Sequence, residues 1–234
     1  MYLFTKKLSV LLISATAFTS NYVLAAQDNV DQIERASQQN DIDSLLQLKQ
    51  TSQGFDKALA SYRLAIAKNI TGDTSEALTL LDEAQSLLTT ETNSADQSET
   101  NALLAQVYGY RISIKPVSGF YYGIKSTNAL NTAFEINQDN PRAHLIKGIA
   151  AYNTPVLFGG SKQQALSALN NAIQHYQIDE NVDYQWGQAE AFVWRGLTHL
   201  ALNDTQSALA DWHTSLQLAP DYAWPAMLIN SNQN

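Results

Sequence analysis

Four histidines, two adjacent carboxylate pairs and one Gly-Gly-Ser-Lys run are the residues in this sequence best suited to chemistry. His144, His175, His199 and His213 contain no HxxxH or HExxH pair. That spacing sets two imidazoles on one helical face, so no zinc site follows. His199 and His213 fall on facing helical stretches where they can approach each other, with packing as the plainer role. The pairs Asp82-Glu83 and Asp179-Glu180 are adjacent. On a helix such neighbours point about 100° apart, which suits solvated faces better than an acid/base couple. Gly159-Gly160-Ser161-Lys162 opens a helix and could offer free backbone N–H groups to an anion. The simpler reading is a turn with Ser161 as N-cap and Lys162 in solvent. There is no Gly-x-Ser-x-Gly elbow, Walker loop or dinucleotide fingerprint. We therefore expect no enzyme, no catalytic residue, no metal ion and no cofactor.

Composition narrows the class further. The 234 residues hold 14 Lys+Arg against 22 Asp+Glu, a formal charge of -8, and no cysteine. Disulfides, thiolate nucleophiles and Cys-ligated metals are excluded. An acidic chain repels phosphate, so on its net charge neither nucleic acid nor an anionic membrane surface is an expected partner. At 45% hydrophobic residues the chain can bury a core. Arg111, Lys115, Lys125, Arg142 and Lys147 gather in the middle of the chain, as a local positive patch or as partners for helix ends and neighbouring acids.

The first residues read as an address. Lys6 and Lys7 precede an apolar run from Leu8 to Phe18, and Val23-Leu24-Ala25 suits cleavage before Ala26. That is the pattern of a secretory signal peptide, with an apolar run too short to span a bilayer. Residues 1–25 are thus expected to be removed, leaving 12 - 22 = -10, with no later transmembrane segment and a periplasmic location.

The elements come from an internal repeat. In the last unit Phe192, Gly196, Ala208, Trp212, Ser215 and Pro220 stand at regular offsets, and Gly196 to Ser215 is 19 residues. Ala65 to Ala84 is also 19, and Leu59, Tyr62, Ile66 and Ile70 follow one helical stripe. The two middle units run Gly109 to Ala133 and Gly148 to Ala172, both 24 residues. The excess lies between the helices, as Lys115–Gly123 and Thr154–Gly160; each begins near a Pro and ends in Gly.

This small–small–aromatic–small–Pro pattern resembles the tetratricopeptide repeat, over roughly Phe55 to Pro225. The inserted Thr-Pro, apolar run and Phe-Gly-Gly is similar to exported bacterial repeat proteins. It is also faintly similar to the periplasmic T component of tripartite solute transporters, although the anchoring Cys of that lipoprotein is missing. The resemblance implies an all-α fold of antiparallel helix pairs stacked as a right-handed solenoid, the two middle units carrying longer inter-helix loops. We expect a leader at 1–25 and one helical domain at 26–234. Within it fall a degenerate leading pair at 28–53, repeats at 55–90, 97–138, 140–178 and 184–220, and a trailing helix and tail at 221–234.

In such arrays the first helix of each pair lines a concave groove. The resemblance therefore places partner contacts at Tyr62, Gln106, Tyr110, Arg142, Tyr152 and Asn153. The aromatic insertions add Tyr121, Tyr122 and Phe158, as binding loops or as the packing of their own loops. The expected role is a non-catalytic protein- or peptide-binding scaffold. The alternative is a carrier of a small apolar ligand or a transporter accessory, which needs an enclosed pocket near Tyr110, Tyr121 and Tyr152, and oligomerisation. The partner's identity and the oligomeric state are not encoded in any motif.

Overall fold

A computed structural model describes residues 16–90 and 96–232, with side chains from residue 27 onward. The expected leader and its cleavage site lie outside the described side chains, and the centre of the polar stretch after Thr90 lies outside the described residues. Eleven α-helices account for the described chain, which contains no strand. They are α1 (Thr16–Gln38), α2 (Ile42–Thr51), α3 (Gly54–Ile70), α4 (Thr74–Thr90), α5 (Gln97–Ile114), α6 (Gly119–Ile136), α7 (Pro141–Asn153), α8 (Lys162–Tyr176), α9 (Gln188–Ala201), α10 (Thr205–Leu218) and α11 (Ala223–Asn232).

Polar caps start these helices. Asp41 accepts from Ser44 N at 3.0 Å, Asp96 from Glu99 N at 3.1 Å and Asp204 from Ser207 N at 3.0 Å. Asn140 accepts from the amides of Arg142 and Ala143 at 2.8 and 3.1 Å. Each satisfies a donor that the first turn leaves open. Asn40 (φ 53°) and Asn203 (φ 65°) make the left-handed turns that end α1 and α9, a conformation asparagine tolerates.

The pairs α3/α4, α5/α6, α7/α8 and α9/α10 pack closely. Their small residues set the spacing. A Cβ on Gly196 would stand 2.4 Å from Trp212 Nε1, and one on Gly148 would stand 2.6 Å from Leu169 Cγ. Trp212 lies 16 positions after its glycine and Leu169 lies 21 after. The difference of five is the length of the insertion, so the same contact is kept around a longer connection. Consecutive first helices also touch, α3 with α5, α5 with α7 and α7 with α9, whereas packing of that extent is absent among the described second helices. The array therefore curves with its first helices inside.

The four first helices end alike, five residues past Ala65, Gly109, Gly148 and Gly196. The two insertions are then built differently. In the third unit the chain makes a 3-10 turn at Val156–Phe158 and reaches α8 through Gly159 (φ +91°). In the second, a 3-10 turn at Pro116–Ser118 leads directly into α6 at Gly119. Phe120, Tyr121 and Tyr122, expected in a loop, are instead the first turn of a helix. Gly119 itself is helical (φ -58°, ψ -35°), and no proline follows to stop the turn.

The curvature brings distant parts of the chain together. Gln27 Nε2 on α1 donates to Gln185 O at 3.1 Å, and Gly187 N donates to Glu34 Oε2 at 3.3 Å. Gln39 Nε2 donates to Asp221 Oδ2 at 3.2 Å. The leading pair is thus joined to the last unit across the inside of the array.

Candidate functional site

The inner face is the place where first helices present side chains together. Much of it is taken up by the protein itself. The connection from α8 to α9, residues 177–187, lies against the C-terminal half of α1 and the N-terminal halves of α3 and α5. Tyr184 meets Phe55 with ring centroids 4.5 Å apart, and Asn181 Nδ2 donates to Asp96 Oδ2 at 2.9 Å. Trp186 is 2% exposed, and its indole donates to Glu99 Oε2 at 3.2 Å.

Beneath this connection lie two buried arginines, each between two carboxylates. Arg63 donates to Glu34 Oε1 at 2.7 Å through Nε, and to Glu190 Oε2 at 2.9 Å through Nη1. Arg142 donates to Glu99 Oε1 at 2.9 Å from Nε and 2.6 Å from Nη2, and pairs with Asp179 through Nη1. Burial pushes the Glu99 carboxyl up to about 7, against the pull of Arg142. Burial also raises Glu34, again opposed by its arginine. Ions removed from water need this many partners to be tolerated.

These contacts move three expected groove residues out of reach. Tyr62, Gln106 and Arg142 are buried, at 1%, 7% and 1% exposure. The Tyr62 hydroxyl accepts from Gln106 Nε2 at 2.8 Å, and Arg142 is committed to Glu99 and Asp179. All three were placed on the inner face by their offset from a small residue. Helical periodicity gives the direction of a side chain, and a remote segment decides whether that direction is open.

The open part of the inner face belongs to the C-terminal halves of the first helices. Tyr110 is half-buried there, edge-on to Tyr62 at 6.0 Å, with its hydroxyl accepting from Asn69 Nδ2 at 3.2 Å. Tyr152 is half-buried and edge-on to Trp194 at 5.5 Å, and Trp194 is edge-on to Trp224 at 5.4 Å. Asn153 is exposed beside them. Burial raises both phenols above the usual tyrosine range, so each keeps its proton at neutral pH. Trp194 and Trp224 were not foreseen. Tryptophan two residues after the motif aromatic Phe192 was the available signal.

At the end of the array where first helices finish, the two insertions emerge. Tyr122 packs against the core and Tyr108, at 5.5 Å, with Arg111 over its ring at 4.9 Å. Tyr121 and Phe158 are exposed. Lys162 is not free in solvent, as expected, but lies over the Tyr152 ring at 3.3 Å and donates to Tyr152 O at 2.5 Å. Its neighbour Ser161 is the N-cap of α8, accepting from Gln164 N at 3.3 Å. Of the basic cluster, Arg111 pairs with Asp82 and Arg142 is buried.

No pair forms between His199 and His213. His199 Nδ1 is 3.6 Å from Asp204, and His213 is exposed. The histidines that meet are His144 and His175, stacked at 4.9 Å with rings 6° from parallel. Burial holds His144 below the usual imidazole range, which favours the neutral form of that ring in the stack. Among the described residues no group of three His, Cys, Asp or Glu side chains could hold a metal ion, and no helix is long and apolar enough to cross a membrane. An open cleft of about 440 Å³ lies between α1, the 177–187 connection and the turn before α11, lined largely by charged and amide residues including Asp31, Glu34, Arg35, Gln38 and Asp221.

No protein-family model matches this chain, and no curated protein is similar to it at a significant level. Solved structures do match. The thermophilic TPR protein TTC0263 of Thermus thermophilus is 18% identical, over 89% of this chain and 98% of that one, with a TM-score of 0.56. The HusA haemophore from Porphyromonas gingivalis is 25% identical over 80% and 94%, with a TM-score of 0.46. YrrB, a TPR protein with an unusual peptide-binding site, is 18% identical over 90% and 89%, with a TM-score of 0.39. The fold of this chain is accordingly the all-α tetratricopeptide-type array of helix pairs.

Proposed function

We propose that this chain is an exported, non-catalytic binding module that takes an extended or helical segment of a protein partner along the open half of its inner face. The observation that carries the reading is the set of half-buried aromatic rings there: Tyr110 against Tyr62, and the edge-on series Tyr152, Trp194 and Trp224. Rings held edge-on by their neighbours have little freedom left to lose, and the Tyr110 and Tyr152 hydroxyls can still donate a hydrogen bond to a partner. Asn69 and Asn153 add amide groups suited to a peptide backbone. The signal-peptide pattern at residues 1–25 supports export to the periplasm. The alternative role, a carrier of a small apolar ligand, asks for an enclosed apolar cavity. The cleft of about 440 Å³ is open and polar-lined, which favours a polar guest.

The test is site-specific photo-crosslinking in the cell of origin. A crosslinker replacing Tyr110 or Tyr152 should trap one discrete protein that a crosslinker at Ser167, on the outer face, does not. Tyr110→Ala with Tyr152→Ala should weaken that capture by about tenfold or more, as loss of a central aromatic pair does, while the helical signal is retained. Equal trapping at all three positions, or capture unaffected by the double variant, would place the partner elsewhere.

A further inference from the structure

Half of the fourteen large apolar side chains exposed among the described residues fall in the two inserted segments or, as Ile124 does, directly beside them. The four most exposed are all there: Leu157 (88%), Val156 (85%), Phe120 (83%) and Val117 (76%). Ile124, Phe158 and Tyr121 complete the group. Soluble surfaces seldom gather apolar side chains in this way without a use for them.

Topology puts both segments at one end. Short connections make α5 antiparallel to α6 and α6 antiparallel to α7, so α5 and α7 are parallel. They pack together, and their C-termini emerge side by side. The segments are also held in shape. Phe158 N donates to Pro155 O at 2.8 Å and Ser161 N to Ala151 O at 3.0 Å. A Cβ on Gly160 would stand 1.7 Å from Thr154 O. In the second unit the projection is a helix turn. Neither segment uses its outermost apolar side chains for its own packing.

Charge is distributed to match. From Thr100 to Ile178 the chain holds six Lys or Arg and only two acids, Glu135 and Asp139. The other residues hold 14 - 6 = 8 basic and 22 - 2 = 20 acidic. Both acids lie toward the opposite end of the array, at the end of α6 and the turn after it. Lys115 is exposed beside Val117, and Lys125 lies over the Tyr121 ring at 4.5 Å. Neither pairs with a carboxylate among the described residues. The flanking units bring acids back to this end, Asp73 and Glu76 at the start of α4 and Asp204 before α10, so the uncompensated charge is confined to the two inserted units.

We propose that this end of the array seats on the surface of an anionic lipid membrane. Val117, Phe120, Val156, Leu157 and Phe158 enter the boundary between headgroups and acyl chains, and Lys115 and Lys125 meet the headgroup phosphates. The argument for lipid over a protein partner is shape. The apolar groups project from the end of the array, and the hollow that Phe120 and Ile124 flank beside Gly119 and Gly123 is wide open. A protein interface is anchored by side chains that fill pockets. A fluid apolar phase needs no complementary shape and rewards projecting apolar groups with basic residues behind them. The inference is independent of the inner-face reading, because it uses neither Tyr110 nor Trp194.

The absence of cysteine makes the test clean. Leu157→Cys and, as a control on the outer face, Ser167→Cys each carry a single environment-sensitive fluorophore on the full chain. With vesicles of equal parts phosphatidylglycerol and phosphatidylcholine, the label at 157 should shift to the blue and brighten severalfold, and the label at 167 should not. Pure phosphatidylcholine should have little effect. Adding Lys115→Gln and Lys125→Gln should weaken the response about 25-fold, at roughly fivefold per lysine near an anionic surface, and high salt should do the same. The proposal is overturned if the label at 157 stays in water while vesicles are bound, or if no anionic vesicle is bound. It is also overturned if the blue shift appears without vesicles and grows with protein concentration, which would make a second copy of this chain the occupant.

Discussion

Arg63 shows how much one buried charge organises. Its guanidinium joins Glu34 on α1 to Glu190 on α9, residues 156 apart in sequence, and it also lies 5.8 Å from the Trp186 ring. Arg63→Ala leaves two carboxylates facing each other without a cation. Removing one partner of a buried pair costs about 3–5 kcal/mol, and urea unfolding should read a loss of that size. Glu99 sets a dependence on pH. Its folded value of about 7 stands above the ordinary glutamate value. Below the unfolded value both states are protonated and the fold keeps its full stability. As pH rises toward 7 the unfolded chain ionises first and stability declines. The advantage of wild type over Glu99→Gln should therefore shrink between about pH 4.5 and 7, by up to about 3 kcal/mol. Taking the difference matters, because His144, held low by burial, moves stability in the opposite direction below the ordinary imidazole value.

At the scale of helices, the glycines of the first helices are not equivalent. Gly148 and Gly196 have no room for a methyl group, whereas a Cβ on Gly109 meets nothing within 4 Å. Gly109→Ala should stabilise the protein by about 0.5–1 kcal/mol, the ordinary gain for a helix interior. Gly196→Ala must displace the Trp212 indole, which donates to Val193 O at 3.2 Å. It should lose about 1–3 kcal/mol, as overpacking does. Thermal denaturation of the two variants side by side decides the matter. The repeat offset alone assigns all three glycines the same role. What separates Gly109 is its exposure, whereas Gly148 and Gly196 are buried.

At the scale of the molecule, an array of stacked pairs is expected to behave as a chain of neighbours, each unit touching only the next. This one is cross-tied. The 177–187 connection carries Tyr184 and Trp186 back to α1, α3 and α5, and Arg63 reaches α9. We expect unfolding in a single transition by circular dichroism and by tryptophan fluorescence. We also expect the amide of Gly187 to exchange as slowly as those in the middle of α3. Trp186→Ala should cost about 3–5 kcal/mol and separate the two transitions, because it removes the ring that joins the halves.

The sequence by itself determined the helices, their pairing and the fold class. These follow from the 3.6-residue period, from small residues at fixed offsets and from capping side chains, all local quantities. It also showed the two insertions and their aromatic content. The tertiary structure alone decided that the second insertion is helical, that Tyr62, Gln106 and Arg142 are covered, and that His144 rather than His199 finds an imidazole partner. The last two outcomes depend on contacts between residues dozens to more than a hundred positions apart. No periodicity encodes such contacts, because they are fixed only when the array curves and closes on itself.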